Sequence, residues 1–190
     1  MKQLLITGFD PFGGESVNPA WEAVKSLPDE IGTWTLTKLQ IPTVFGEAAN
    51  TVLKTVDAMP TAPDVILCIG QAGGRAAVTP EFVAINYRHA SIADNAGTLI
   101  SESPILDGAP AAFFATVPVQ RMTEAIAASG IVHRPRIPRV RLSATMCCIP
   151  FCTGLPIPIQ RSDSFTFRSC PSRQKAKPHR PCRFVTSCAH

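Results

Sequence analysis

The chain has 190 residues with a formal net charge of +4, and 45% of its residues are hydrophobic while 17% are charged. This length and balance suit one globular domain with a single core and argue against a disordered chain. No apolar run reaches the roughly 18 residues that cross a bilayer, and the run Leu4–Ile6 lacks the pattern of a signal peptide, so we expect a cytoplasmic protein that does not bind membranes.

The first elements alternate between strand and helix. Gln3 to Thr7 is a short apolar run that predicts a strand ending at Gly8. Asn18-Pro19 predicts the start of a helix that runs to about Leu27, because Asn is a good N-cap and Pro fits the first helical position. Residues 33–40 alternate in polarity and predict the next strand.

The same alternation continues to about residue 130. Residues 45–59 have helical spacing, with Ala49, Val52, Leu53 and Val56 on one face. A continuous apolar run at 65–69 predicts a buried parallel strand. Residues 82–86 predict another strand, and residues 122–129 predict a helix stopped by Gly130.

This order of elements indicates an α/β fold with a mostly parallel sheet. In such sheets, functional sites lie at the carboxyl ends of the strands. Two glycine-rich turns occupy such ends, one after Thr7 and one after Ile69. These turns are therefore the first candidates for a site.

The first turn, Gly8 to Gly14, carries two aromatic residues, Phe9 and Phe12. It is equally consistent with a tight loop whose glycines permit positive φ and with a clamp for a flat apolar ring. It lacks the Lys-Ser/Thr ending of a phosphate-binding loop.

The second turn, residues 70–75, does not match the dinucleotide-binding glycine pattern, and backbone amides close to a small polar ligand are the better interpretation. Cys68, inside the strand before it, is expected to be a buried structural cysteine. His89 follows a later strand and is expected on the surface. Glu81, which opens the 82–86 strand, is by itself typical of a solvated carboxylate.

Four segments in order resemble the pyroglutamyl peptidases (pyrrolidone-carboxylate peptidases). They are Thr7 to Gly14 with Asn18-Pro19, Gly70 to Arg75, Pro80-Glu81 with Val83 to Asn86, and Asp94 to Gly97. The resemblance covers about residues 1–130. It implies a cytoplasmic thiol protease on a three-layer α/β/α sandwich, a hydrolase that removes N-terminal 5-oxoproline from peptides, usually as a homotetramer and without metal or cofactor.

The resemblance also implies roles for particular residues. Glu81 matches the acid of the family's Cys–His–acid triad. Phe9 and Phe12 match the aromatics that hold the pyroglutamyl ring, and Gln71 matches a residue beside that pocket. Pyroglutamate is a neutral lactam, so apolar contact with its ring and hydrogen bonds to its amide suit its recognition.

Residues 131–190 differ abruptly from the part before them. They hold 11 Lys/Arg against one Asp, whereas residues 1–130 hold 7 Lys/Arg against 13 Asp/Glu. They also contain six of the seven cysteines and eight of the 18 prolines. We predict an incomplete α/β domain at 1–130 and an irregular, unstructured tail at 131–190.

Two family motifs are missing from this tail: Ala-Gly-Thr-Phe-Val-Cys-Asn, which holds the nucleophile, and Gly-Phe-Ile-His, which holds the histidine. Codon degeneracy allows both motifs in a shifted reading frame, in which the third base of each codon is joined to the first two bases of the next codon. The first then spans Pro138 to Thr145, with Cys across Ser143 and Ala144, and the second begins at Ser162, with His across Phe165 and Thr166. We therefore predict a frameshift near residues 130–138, which leaves the chain as written without catalytic Cys and His and inactive.

Other interpretations of the tail are weaker but stay open. One is an inactive remnant that binds pyroglutamyl peptides. Another is a basic nucleic-acid or metal-binding module, although the tail has no Cys-x-x-Cys pair and no aromatic interleaving. Its candidate metal ligands would be Cys147, Cys148, Cys152, Cys170, His179, Cys182, Cys188 and His190. We expect neither metal nor nucleic acid as a partner.

Overall fold

A computed structural model describes residues 1–73 and 76–131, together with the backbone of residues 184–188. Its main sheet has five strands in the order β2-β3-β1-β4-β7. Their bounds are Lys2–Phe9 (β1), Glu30–Ile31 (β2), Trp34–Ile41 (β3), Val65–Gly70 (β4) and Phe184–Cys188 (β7). β1 lies parallel to both β3 and β4, and only the short β2 runs antiparallel to its neighbour. The expectation of a mostly parallel sheet is confirmed.

Three helices lie within the described body: Pro19–Ser26 (α1), Glu47–Ala58 (α2) and Val119–Ala128 (α3). α2 packs on one face of the sheet, where Val52 and Val56 join Leu5 in the core. α1 lies on the opposite face. Side chains alternate along a strand, so position 8 faces away from Leu5, and a Cβ added at Gly8 would stand 2.8 Å from the Cα of Trp21 in α1. Helices on both faces give the three-layer α/β/α arrangement that the sequence indicated.

The start of α1 follows from its sequence. Asn18 is the N-cap, and its side-chain oxygen accepts a hydrogen bond from the Ala20 amide at 3.0 Å. Pro19 takes the first helical position. The predicted cap is therefore confirmed, and the helix ends one residue before the predicted Leu27.

A second, two-stranded antiparallel sheet follows β4. It pairs Val83–Ile85 (β5) with Ala112–Phe114 (β6). The predicted strand at 82–86 thus exists, but it pairs outside the main sheet. Ala84 is buried in the same core cluster as Ile66 and Cys68, which attaches this small sheet to the main one. β2 and β6 were not expected, because two or three residues are too short for a periodic signal.

A long arm, residues 87–103, connects back towards the main sheet. Arg88 bridges to Ser103, the Ala90 amide donates to the Ile100 carbonyl, and the Asp94 amide donates to the Thr98 carbonyl. These contacts draw the two sides of the arm together. We call residues 94–98, at its far end, the arm tip.

β7 lies in the tail for which no regular structure was predicted. Its backbone runs parallel to β4, with Phe184 beside Ile66 and Cys188 beside Gly70. The expectation of an irregular tail therefore does not hold at these five residues. The physical reason is that β4 would otherwise present unpaired backbone groups, and a segment with β-branched residues can pair with them. Residues 132–183 and 189–190 lie outside the described residues.

No helix in the described ranges combines the length and the apolar character that a membrane crossing requires.

Candidate active site

The two glycine-rich turns begin at the same edge of the main sheet. β1 and β4 run parallel, with Gly8 beside Ile69, so Phe9 at the end of β1 is level with Gly70 at the end of β4. β3 ends at the same edge, because Ile41 is paired with Phe9. The register therefore places both turns at the carboxyl ends of parallel strands, as the sequence predicted.

The first turn carries what we call the aromatic loop, residues 9–14. Phe9 is half-buried and packs against the hydrophobic core, while Phe12 is half-buried in the loop itself. Gly13 and Gly14 have φ of 65° and 85°, a left-handed conformation that favours glycine. The Glu15 amide donates to the Phe12 carbonyl, which closes the loop.

Polar contacts attach the base of this loop to its surroundings. The Asn18 side-chain amide donates to the Asp10 carbonyl at 3.0 Å, so the residue that caps α1 also fixes the loop. The Asp10 carboxylate accepts from the Thr43 amide at 2.7 Å. The Asp10 amide donates to the Ile41 carbonyl at 2.9 Å. The loop is thus bound to both α1 and the end of β3.

The arm tip contacts the same place from the other side. The Asn95 side-chain amide donates to the Pro11 carbonyl at 2.9 Å and to the Asp10 carboxylate at 3.3 Å. The Asn95 backbone amide donates to the Thr43 carbonyl at 3.0 Å. The two side-chain bonds join residues more than 80 positions apart in sequence.

Asp94 organises the arm tip. One carboxylate oxygen accepts from the Phe45 amide, and the other accepts from the amides of Ala96 and Thr98. The hydrogen bond from Phe45 is the largest cause that lowers the pKa of Asp94 below its usual 3.8, partly opposed by desolvation and reinforced by the bonds from Thr98 and Ala96. The ionised carboxylate is therefore the form that the tip stabilises.

The second turn begins with Gln71, which directly follows β4 and is half-buried. Gly74 and Arg75 lie outside the described residues. Cys68 is 1% exposed within the core cluster, as expected for a structural cysteine, and cannot reach a peptide in solvent. Gln71 and the aromatic loop follow neighbouring strands at one edge, which is compatible with one binding site.

Glu81 precedes β5 by two residues and is half-buried. The strand after it is well anchored: the Asn86 side chain, 8% exposed by residue, accepts from the amides of Ile105 and Leu106. Its side-chain amide also donates to the Leu106 carbonyl at 2.8 Å. These bonds anchor the end of β5, five residues after Glu81.

The other ionisable groups near β5 differ in exposure, and Tyr87 is half-buried. His89 is exposed, as expected. Burial, and then the hydrogen bond and charge of Glu102, raise the pKa of Tyr87 above its ordinary value. The described residues contain no group of three metal-ligating side chains. The tail cysteines and histidines named above lie outside the described side chains.

Sequence reasoning gave no separate role to Asp10, Asp94 and Asn95. Asp94 and Asn95 belong to the segment Asp94 to Gly97, and Asp10 to the first turn, but their mutual contacts depend on tertiary structure. An Asp-Asn-Ala-Gly sequence indicates a turn, and that was the only local signal available.

Comparison with known proteins gives these features a family. The family model of the pyroglutamyl peptidases matches residues 2–140. The pyrrolidone-carboxylate peptidase of Staphylococcus saprophyticus is 52% identical over 132 residues, which are 70% of this chain and 61% of that protein. The corresponding protein of Levilactobacillus brevis is 51% identical over 129 residues, which are 68% and 62% of the two chains. The matched segment thus spans about three fifths of these relatives.

Solved structures agree. A crystal structure of Bacillus amyloliquefaciens pyroglutamyl peptidase I has a TM-score of 0.74 and 36% identity, covering 98% of this chain and 81% of that one. A mutant pyrrolidone carboxyl peptidase (A199P) from Pyrococcus furiosus has a TM-score of 0.68 and 35% identity, covering 76% and 67%. The expected family is confirmed by sequence and by fold: this chain belongs to the pyroglutamyl peptidase family.

Proposed function

We propose that this chain carries the ring-binding part and the triad acid of a thiol peptidase that removes N-terminal 5-oxoproline from peptides. The observation that carries the proposal is that the aromatic loop and the Gln71 turn begin at the same edge of a parallel sheet. Phe9 and Phe12 would contact the lactam ring, and Gln71 would lie beside it. The enzyme would act in the cytoplasm, as a homotetramer, on peptides that begin with pyroglutamate.

The chemistry is transfer of the pyroglutamyl group to a thiolate. A cysteine thiolate attacks the carbonyl carbon of the pyroglutamyl residue, and a histidine donates a proton to the leaving amine as the C–N bond breaks. Water then hydrolyses the thioester and releases 5-oxoproline. Glu81 would accept a hydrogen bond from the histidine, fixing its orientation and stabilising its charged form.

The cysteine and histidine of this scheme belong to the other reading frame. The composition changes near residues 130–138, and the family match ends shortly after them, at residue 140. Cys68 does not replace the nucleophile, because it is buried within β4. We therefore propose that the chain as written binds the pyroglutamyl group without hydrolysing its peptide bond.

The test is to compare the chain as written with a chain whose frame is restored by one inserted or deleted base near codons 130–138. Steady-state hydrolysis of pyroglutamyl-naphthylamide should exceed background only for the restored chain, and iodoacetamide should abolish it. The matched control is the restored chain in which the in-frame cysteine is replaced by Ser. A restored chain that is folded yet inactive on every pyroglutamyl substrate would overturn the proposed function.

The chain as written gives a second, independent readout. Thiol-dependent turnover by mass-verified protein would contradict its proposed inactivity, and Cys147 or Cys148 would be the first residues to replace. Binding without turnover would support the proposal that the chain as written is an inactive remnant that holds pyroglutamyl peptides, which the contacts of the aromatic loop favour.

A further inference from the structure

The aromatic loop is attached mainly through polar bonds at its base. Asp10 and Pro11 receive these bonds, while Gly13 and Gly14 at its far end are exposed. Phe9 packs on the core at the start of the loop, and beyond it the loop is held at Asp10 and Pro11 by these polar bonds, so its geometry there depends on them. The residue that supplies several of the bonds therefore controls where Phe12 lies.

Asn95 is that residue on the arm side. Its side chain donates to the Pro11 carbonyl at 2.9 Å and to the Asp10 carboxylate at 3.3 Å. Its backbone amide donates to the Thr43 carbonyl at 3.0 Å, and the Thr43 amide in turn donates to Asp10 at 2.7 Å. Asn95, Thr43 and Asp10 thus form a closed set of hydrogen bonds that joins the arm tip, the segment after β3 and the aromatic loop.

We propose that Asn95 is a positioning residue for recognition of the pyroglutamyl ring: it holds the aromatic loop through Asp10 and Pro11, and so fixes Phe12 against the lactam. This inference rests on the proposed function. The side chain at this position must be a donor, because its –NH2 group donates towards both a carboxylate and a carbonyl. Aspartate has the same shape but no donor, and it would place a second negative charge against Asp10.

The experiment uses the full 190-residue chain and 5-oxoprolinamide as the probe, a pyroglutamyl ligand without a scissile peptide. Asn95→Asp should weaken binding of the probe about tenfold, the scale of a lost hydrogen bond to a charged group. The same variant should speed hydrogen exchange of the Thr43 amide by about tenfold, because that amide donates to Asp10. Exchange within α2 should not change.

A swapped pair and a matched control separate positioning from general stability. In Asp10→Asn with Asn95→Asp, a donor and an acceptor face each other again, so binding and Thr43 exchange should recover in part. Asn50→Asp is the control, because the Asn50 side-chain amide also donates to a carboxylate, that of Glu47, at 3.3 Å, but on the surface of α2. It should leave both readouts at the parent value.

The outcomes are distinguishable. Unchanged Thr43 exchange in Asn95→Asp overturns the positioning role, whether or not the parent binds the probe. Faster exchange with unchanged binding overturns it as well, because the loop would then open without consequence for the ring. If the parent itself fails to bind 5-oxoprolinamide, the proposed ring-binding function fails, and the role in recognition fails with it. Faster exchange, weaker binding and partial recovery in the swapped pair support it.

Discussion

The two parts of the chain, residues 1–130 and 131–190, differ in how far signals in the sequence are matched by contacts in the structure. In the first part, each signal has a matching contact: Asn18 caps α1 and also binds Asp10, and Gly8 lies where α1 approaches β1. In the second part, the described structure is a single strand, β7, recognised only by its backbone pairing with β4.

The difference separates two kinds of structural information. Family-specific packing needs many residues that agree with one another, and the first part has that agreement. Backbone pairing at the edge of a sheet needs only a short segment with β propensity. A strand in the tail is therefore no evidence that the tail carries the family's catalytic residues.

The largest expected effect concerns catalysis in the restored frame. Replacing Glu81 with Gln should lower kcat by about 10²–10⁴, because a neutral amide stabilises the charged histidine poorly. Steady-state kinetics on 5-oxoprolyl substrates measures the loss. Glu22→Gln, on the surface of α1, is the control and should leave kcat unchanged. Equal rates for Glu81→Gln and its parent would remove Glu81 from the triad.

The next effect concerns the close packing of α1 against β1. An alanine at position 8 would place its Cβ 2.8 Å from Trp21 Cα and 3.0 Å from Trp21 N, both backbone atoms that cannot rotate away. Gly8→Ala should therefore lower the free energy of unfolding by about 1–3 kcal/mol, measured by urea denaturation.

Gly13→Ala provides the contrast for that measurement. A Cβ there meets nothing within 4 Å, but φ is +65°. The expected cost is about 1 kcal/mol of backbone strain. A smaller loss for Gly8→Ala than for Gly13→Ala would contradict the close approach of α1 to β1.

A smaller effect tests β7. Backbone amides along a strand point alternately to either side, so of Val185→Pro and Thr186→Pro only one removes a donor to β4. The other should be milder. Exchange of β4 amides, followed by NMR, should rise at alternate residues in the more disruptive variant. Identical exchange in both variants and the parent would show that β7 does not pair with β4 in solution.

The smallest effect is the response of the arm tip to acid. Because the folded-state pKa of Asp94 is lowered below 3.8, its stabilising contribution is present above that pH and is lost as pH falls through the lowered value. The NMR shifts of the Phe45 and Thr98 amides should titrate together below pH 3.8. Asp94→Asn should abolish the titration. A midpoint above 3.8 would contradict the assigned hydrogen bonds.

Most of the fold could be predicted because periodicity and capping are local. The apolar run at 65–69 became β4, and the helical spacing at 45–59 became α2, within two residues of its bounds. The pairing of β5 with β6 could not be predicted, because it depends on a partner 30 residues away and on strands of three residues. The same holds for β7.

The candidate site could be predicted in part for the same reason. Phe9, Phe12 and Gln71 follow strands, and parallel strands end at a common edge. Their roles in binding, and that of Glu81 in catalysis, stay predictions. The contact of Asn95 with Pro11 spans 84 positions, and no local pattern in the sequence encodes it.

That long span has a consequence for biosynthesis. The nascent chain cannot fix the aromatic loop until the ribosome has passed residue 95, and the described hydrogen-bond partners of the loop all lie before the change in composition at residue 131. A polypeptide whose sequence changed after residue 131 would still contain the residues that hold this loop in place.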